Sequence, residues 1–270
     1  MSDSRNLPNA DRLSVLAATI LLAYALTRFI DIPLSQLGVQ LPGVYLAVEI
    51  NIRTMVTLLV ASLTAIGAHW LLEDHPSLGN QPTFQHWLVP ALTAWVISVP
   101  LYQLPFGLVW LASFAIGGVL LMLVLVAEYI TVDPDDVRHA LATAGLTAVS
   151  FALYLILAIT LRSAGVRLFL ILPALTTAGG LISLRTLHLR LRGEWAIVPS
   201  LVLAFIIAQL TAGLHYWPVS PVAFGLAILG PAYALSSLMA SLLEGEPLRQ
   251  AITEPSLVLI VLWGTALWIR

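Results

Sequence analysis

The sequence contains neither cysteine nor lysine. Without cysteine there are no disulfides, iron–sulfur clusters, thiolate zinc sites, covalently attached haem or S-acylation. Without lysine there is no Schiff base to retinal or pyridoxal phosphate and no P-loop, since each needs the lysine amine. Charge of either sign is scarce. Asp, Glu, Lys and Arg make up 10% of the 270 residues, against about 25% in soluble domains. All 12 basic residues are arginine, and the formal net charge of −2 offers no basic face to nucleic acid. No G-x-S-x-G, G-x-G-D, H-E-x-x-H or GxGxxG pattern occurs.

Apolar residues are abundant. They make up 59% of the chain, and the mean hydropathy is +0.95. These values exclude a soluble enzyme and a disordered chain. The apolar runs are continuous rather than alternating, which excludes an outer-membrane barrel. Backbone in lipid must satisfy its own hydrogen bonds, so the runs are helices. The reading is an all-α polytopic transmembrane bundle of eight or nine spans. It forms one domain over 1–270, with a polar tail at 1–12. The spans are placed at 13–31, 50–72, 84–102, 107–129, 137–161, 166–188, 195–216, 219–243 and 255–270. The last is short and ends at Arg270, so a shallow ninth segment is the alternative. The run from Leu13 to Ile30 reads as an uncleaved first span, although Ala23-Tyr24-Ala25 resembles a cleavage site.

Turn chemistry marks the boundaries. Leu41-Pro42-Gly43 breaks the chain after the first span, and Pro76, Gly79 and Pro82 lie in the second connection. Ser220-Pro221 reads as an N-cap followed by proline at the first helical position. Gly117-Gly118, Ala178-Gly179-Gly180 and Gly225 with Gly230 mark close helix contacts.

Orientation rests on arginine. With a cytoplasmic N-terminus, that face holds Arg5, Arg12, Arg138, Arg185, Arg190, Arg192 and Arg249. The other face holds Arg28, Arg53, Arg162, Arg167 and Arg270, which leans towards N-in. The face of the N-terminus also collects five of the six histidines and most of the acids.

Glu128 is the acid of greatest interest, because it ends an otherwise apolar span and a carboxylate there needs a partner or an interior position. Arg138 and Arg185 are the proposed partners. With His139, these residues form the candidate polar site. Asp133-Pro134-Asp135-Asp136 resembles an acidic metal motif. It has a sufficient structural explanation as an N-cap, a first-turn proline and two acids at the positive helix end. Glu49 and Arg53 stand four residues apart and are read as an intrahelical ion pair. Together with mid-span Gln209 they form an alternative transport path. Arg185, His188 and Arg192 fall on one helical stripe, suited to lipid phosphate or to an ordinary basic stop at the interface. No metal site and no cofactor are expected. The expected partners are the lipid bilayer and either another membrane protein or a second copy of the chain, with no nucleic acid.

The run of His75-Pro76, Ala127-Glu128-Tyr129 and Tyr216-Trp217-Pro218-Val219-Ser220-Pro221 resembles an uncharacterised family of bacterial multi-pass membrane proteins carrying a domain of unknown function. The resemblance implies a bacterial inner-membrane location and supplies no activity. The leading functional reading is a non-enzymatic accessory or scaffold subunit. The alternatives are a small-solute or proton-coupled transporter and a membrane enzyme acting on lipid-linked substrates.

Overall fold

The computed structural model describes the backbone of residues 7–29, 35–41, 44–50, 52–79, 83–191 and 193–269, and the side chains of 7–26, 55–79, 83–191 and 193–269. The helices are α1 (Ala10–Phe29), α2 (Ile52–Leu72), α3 (Leu88–Gln103), α4 (Leu108–Ile130) and α5 (His139–Ser163). They continue as α6 (Leu168–Arg190), α7 (Ile197–His215), α8 (Pro221–Leu243), the single turn α9 (Leu248–Ala251) and α10 (Thr253–Trp268). A 3-10 turn, Phe84–His86, leads into α3. Among the described residues, eight helical segments from Met55 onward are long and apolar enough to cross a membrane. The chain is an all-α polytopic bundle, as its apolar runs require.

One element departs from the sequence reading. Between α1 and α2 lies an antiparallel hairpin of β1 (Ser35–Leu41) and β2 (Val44–Ile50), with Leu41 opposite Val44 and Gln36 opposite Glu49. Val44, Tyr45, Val48 and Ile50 favour a pleated strand, and Pro-Gly is a turn dipeptide. Glu49 therefore sits in a strand and Arg53 in α2, so the expected one-turn helical spacing between them does not exist. The side chains of Glu49 and Arg53, and the expected Arg28–Asp31 pair, lie outside the described residues.

The chain packs as two compact units, Met1–His139 and Ala140–Arg270. In the first, α1 to α4 enclose a core of Leu16, Ile20, Tyr24, Val60, Leu71, Leu72, Ile97, Leu121 and Leu125. The helices approach closely at Gly117, where an added Cβ would lie 2.7 Å from Cγ2 of Ile97. Tyr24 Oη donates to the carbonyl of Ala94, and Trp110 Nε1 donates to Leu101 O at 3.1 Å, closing the α3–α4 corner.

In the second unit α8 carries α6, α7 and α10. Ser220 Oγ accepts from Ala223 N–H at 3.2 Å with Pro221 at the first helical position, the cap its sequence announces. Arg162, at the end of α5, donates to the carbonyls of His215 and Trp217 at 2.8 and 3.1 Å. It thereby satisfies acceptors that the end of α7 leaves open. Gly165 follows α5 with φ +64, the left-handed position that glycine fills most readily. α10 runs antiparallel to α8. Its Glu254 accepts from Tyr233 Oη at 2.7 Å and Ser237 Oγ at 2.8 Å. Further along, Trp263 Nε1 donates to Ala227 O at 3.1 Å, and Ser220 Oγ donates to Ile269 O at 3.4 Å.

Candidate functional site

The polar groups of the first unit gather where the 73–83 and 131–138 connections meet. α4 brings Glu128 there by periodicity. Its inward stripe runs through Trp110, Gly117, Leu121, Val124, Leu125 and Glu128, which recur every three or four residues. A carboxylate on that stripe enters the bundle, and Glu128 is 1% exposed. The 3-10 turn before α3 presents His86, which is 3% exposed. The two meet with Nδ1 of His86 2.7 Å from Oε2 of Glu128. Thr131 Oγ1 donates to the Glu128 carbonyl at 2.9 Å and stands 3.5 Å from Oε2 of Glu128. On the far side of the ring, Gln85 Nε2 lies 3.2 Å from Nε2 of His86. With Gln85 oriented this way its amide donates to Nε2. The imidazole then keeps its proton on Nδ1 and points it at the carboxylate.

Other groups surround this pair. The His75 ring meets Tyr129 edge-on with centroids 4.5 Å apart. His75 Nδ1 accepts from the backbone N–H of Ser77 at 3.1 Å, and Ser77 Oγ donates to Oδ2 of Asp133 at 3.3 Å. Burial holds the His75 imidazole below its ordinary value of 6.5. Asp133 pulls it back up, His86 pushes it further down, and Asp136 pulls it up. His69 Nδ1 lies 2.7 Å from Thr83 Oγ1, and its Nε2 lies 3.5 Å from Glu73. Arg12 pairs with Asp74 at 2.8 Å, donates to Trp70 O and stacks over the Trp70 ring. Among the described residues, no group of three or more His, Asp or Glu side chains is arranged to hold a metal ion.

The 131–138 segment folds otherwise than its sequence suggests. α5 begins at His139, and Asp133 Oδ1 accepts from Asp135 N–H at 3.1 Å in a tight turn. Asp136 makes a second such turn just before the helix, its Oδ1 accepting from Arg138 N–H at 2.8 Å. Proline at 134 fixes its own φ but leaves the acids free to bond their neighbours two residues on.

Comparison with known proteins places the chain within a family. Residues 32–269 match the model of a protein family of unknown function, DUF5656. The chain belongs to that family. No curated protein and no solved structure matches it. Both members of the Glu128–His86 pair fall within the DUF5656 region, as do the remaining candidates.

Of the other candidate residues, Arg138 and His139 stand in the first unit, at the end of the 131–138 connection and just after it. Arg138 binds Asp136, with Nε 3.3 Å from Oδ1. His139 opens α5, and its Nδ1 has no hydrogen-bond partner among the described residues. Arg185 lies in the second unit, 2% exposed on α6. His188 is buried too, stacked on Trp195 with centroids 4.3 Å apart. Arg185 and His188 are thus buried side chains near the end of α6, and Arg192 lies outside the described residues. Gln209 is exposed on α7. His86 is the partner that sequence reasoning did not pair with Glu128. The α4 periodicity marks Glu128 as inward, but nothing in a three-residue turn 42 positions away announces its mate.

Proposed function

We propose that this integral membrane protein is a proton-coupled transporter of a small solute, with Glu128 and His86 as its proton-binding element. The observation that carries this reading is a carboxylate and an imidazole 2.7 Å apart, both withdrawn from solvent at the end of a membrane-length helix. Ionisable groups in such positions carry protons in pumps and transporters. A scaffold has little use for them, because a buried pair replaced by well-packed apolar residues usually leaves stability unchanged or higher. The pair gains or loses a proton through the edge formed by His75, Ser77 and Asp133. Loss of the Nδ1–Oε2 contact frees the turn before α3 from α4, which links protonation to movement.

Seven arginines against five favour a cytoplasmic N-terminus in a bacterial inner membrane. The 73–83 and 131–138 connections then face the cytoplasm, and the pair exchanges its proton there. The enzyme reading has less support, since the guanidinium of Arg138 is already engaged by Asp136. The accessory-subunit reading leaves the buried pair without a purpose.

Purified protein in proteoliposomes, adsorbed to a solid-supported membrane and given pH jumps, tests the proposal. The wild type is expected to give a transient charge movement that Glu128→Gln abolishes, with secondary structure intact in both. No charge movement in folded wild-type protein rejects it.

A further inference from the structure

Three hydroxyls inside the second unit have nothing to bond. Tyr154 on α5 is 1% exposed, and Thr211 on α7 is fully buried. The Oη of Tyr154, the Oγ1 of Thr211 and the Oγ1 of Thr176 on α6 are all withdrawn from solvent. None of them has a hydrogen-bond partner among the described residues. Thr147, Ser150 and Thr160 on α5, Ser200 on α7 and Ser236 on α8 each donate to the carbonyl four residues earlier. Thr176 and Thr211 do not make that bond.

The three hydroxyls gather at mid-depth. A Cβ built at Gly179 of α6 would lie 3.3 Å from Tyr154 Oη and 2.9 Å from Cδ1 of Ile207, so α5, α6 and α7 converge there. One built at Gly180 would meet Cβ of Ala204 at 3.1 Å, so α6 and α7 run antiparallel. Thr176 comes three residues before Gly179, and Thr211 four after Ile207. The two threonines therefore share one level on the facing sides of α6 and α7, about a turn from the Tyr154 hydroxyl. Gly179 is eleven residues from either end of α6 (Leu168–Arg190), about 16 Å at 1.5 Å per residue. That is the middle of a hydrocarbon layer about 30 Å thick, where an unbonded hydroxyl is costly.

We propose that Tyr154, Thr176 and Thr211 hold internal water, which bridges α5, α6 and α7 halfway across the membrane. Each hydroxyl both donates and accepts, as water does. Water stays in a protein interior when it has about two to four polar partners, and these three side chains supply them. A charged guest does not fit. No Asp, Glu, Lys, Arg or His occurs in 140–161, 168–184, 197–214 or 221–243, so an ion there would be buried without a countercharge. A larger guest does not fit either, because Ile207 and Tyr154 already close the space at Gly179. The bridge links three helices through bonds that can exchange. It is independent of the Glu128–His86 pair in the first unit.

Two measurements on the full chain test this. In mixed micelles titrated with SDS, Tyr154→Phe and Thr211→Val are each expected to raise the unfolding constant about tenfold, because loss of one hydroxyl strands the others. The double variant should cost less than the two losses combined, since either single change already releases the shared water. Hydroxyls that hold nothing give another sign: their removal leaves stability unchanged or higher, and that result overturns the proposal. Fully additive losses overturn it too. The second measurement needs no variant. Hydroxyl radicals made from bound water by an X-ray pulse oxidise a buried ring beside it and spare a dry one. Wild-type Tyr154 is expected to be oxidised in the folded protein, and a protected Tyr154 overturns the proposal.

Discussion

Nδ1 of His86 lies 2.7 Å from Oε2 of Glu128, and neither side chain is more than 4% exposed. The two groups stabilise each other only as a pair. Removing His86 alone leaves a carboxylate buried without its imidazole, which costs about 3–5 kcal/mol in comparable sites. We expect His86→Ala to be destabilising on that scale. The double substitution His86→Leu with Glu128→Leu should recover most of the loss, because it removes both desolvated groups. Unfolding followed by denaturant titration in lipid nanodiscs would show this. A double variant as unstable as the sum of the two singles would mean that the pair is not coupled.

His75 gives the protein a pH dependence of known sign. Its folded imidazole titrates below the ordinary 6.5, chiefly because burial disfavours the cation. The neutral ring also accepts the Ser77 N–H. Above 6.5 both folded and unfolded states hold the ring neutral, and the site contributes nothing to the pH slope. As pH falls below 6.5 the unfolded chain takes up a proton that the folded ring resists, so stability declines. We expect melting temperature to fall on acidification from pH 7 to 5, and His75→Gln to flatten part of that fall. A steeper decline in His75→Gln would contradict this account.

Gly117 tests the packing of α3 on α4. A methyl there meets Cγ2 of Ile97 at 2.7 Å, and that branch is fixed to Cβ and cannot swing away. Gly117→Ala should therefore cost about 1–3 kcal/mol through overpacking, despite the better helix propensity of alanine. Ile97→Leu removes the offending branch, so the double variant should be more stable than Gly117→Ala alone. The thermal transitions of the four proteins form a cycle that reads this coupling. A stabilised Gly117→Ala would show that the contact has slack.

Much of this fold was legible because a bilayer leaves few options. Long apolar runs must become helices, and Ser220-Pro221, Gly165 and Gly245 end or start them by local chemistry alone. The hairpin at 35–50 escaped although β1 alternates through Leu37, Val39 and Leu41, because β2 is apolar at all but Glu49 and both sit between two stronger helical signals. The site was half legible. Glu128 stands out as an acid closing an apolar span, and its place on the inward stripe can be counted from Leu121 and Val124. Its partner could not be counted, because pairing across 42 residues depends on how α3 and α4 pack. Arg185 and His188 are legible as a basic stripe near the end of α6, but their burial by tertiary packing is not.

The last helix is expected to cross fully rather than lie shallow, and α8 is the reason. Four hydrogen bonds tie the two helices along their length: Glu254 to Tyr233 and Ser237, Trp263 to Ala227 and Ile269 to Ser220. These anchors advance along α10 as they retreat along α8, from residue 233 back to the cap at 220. α8 is a membrane-length helix, so a neighbour bound to both its halves covers the same depth. Gly245 and Trp268 should therefore lie on opposite faces of the membrane. Cysteines placed singly at these two positions in sealed vesicles should differ in labelling by an impermeant maleimide. One should react before the vesicles are opened and the other only afterwards. Equal labelling from one side would detach α10 from α8 and return it to the membrane surface.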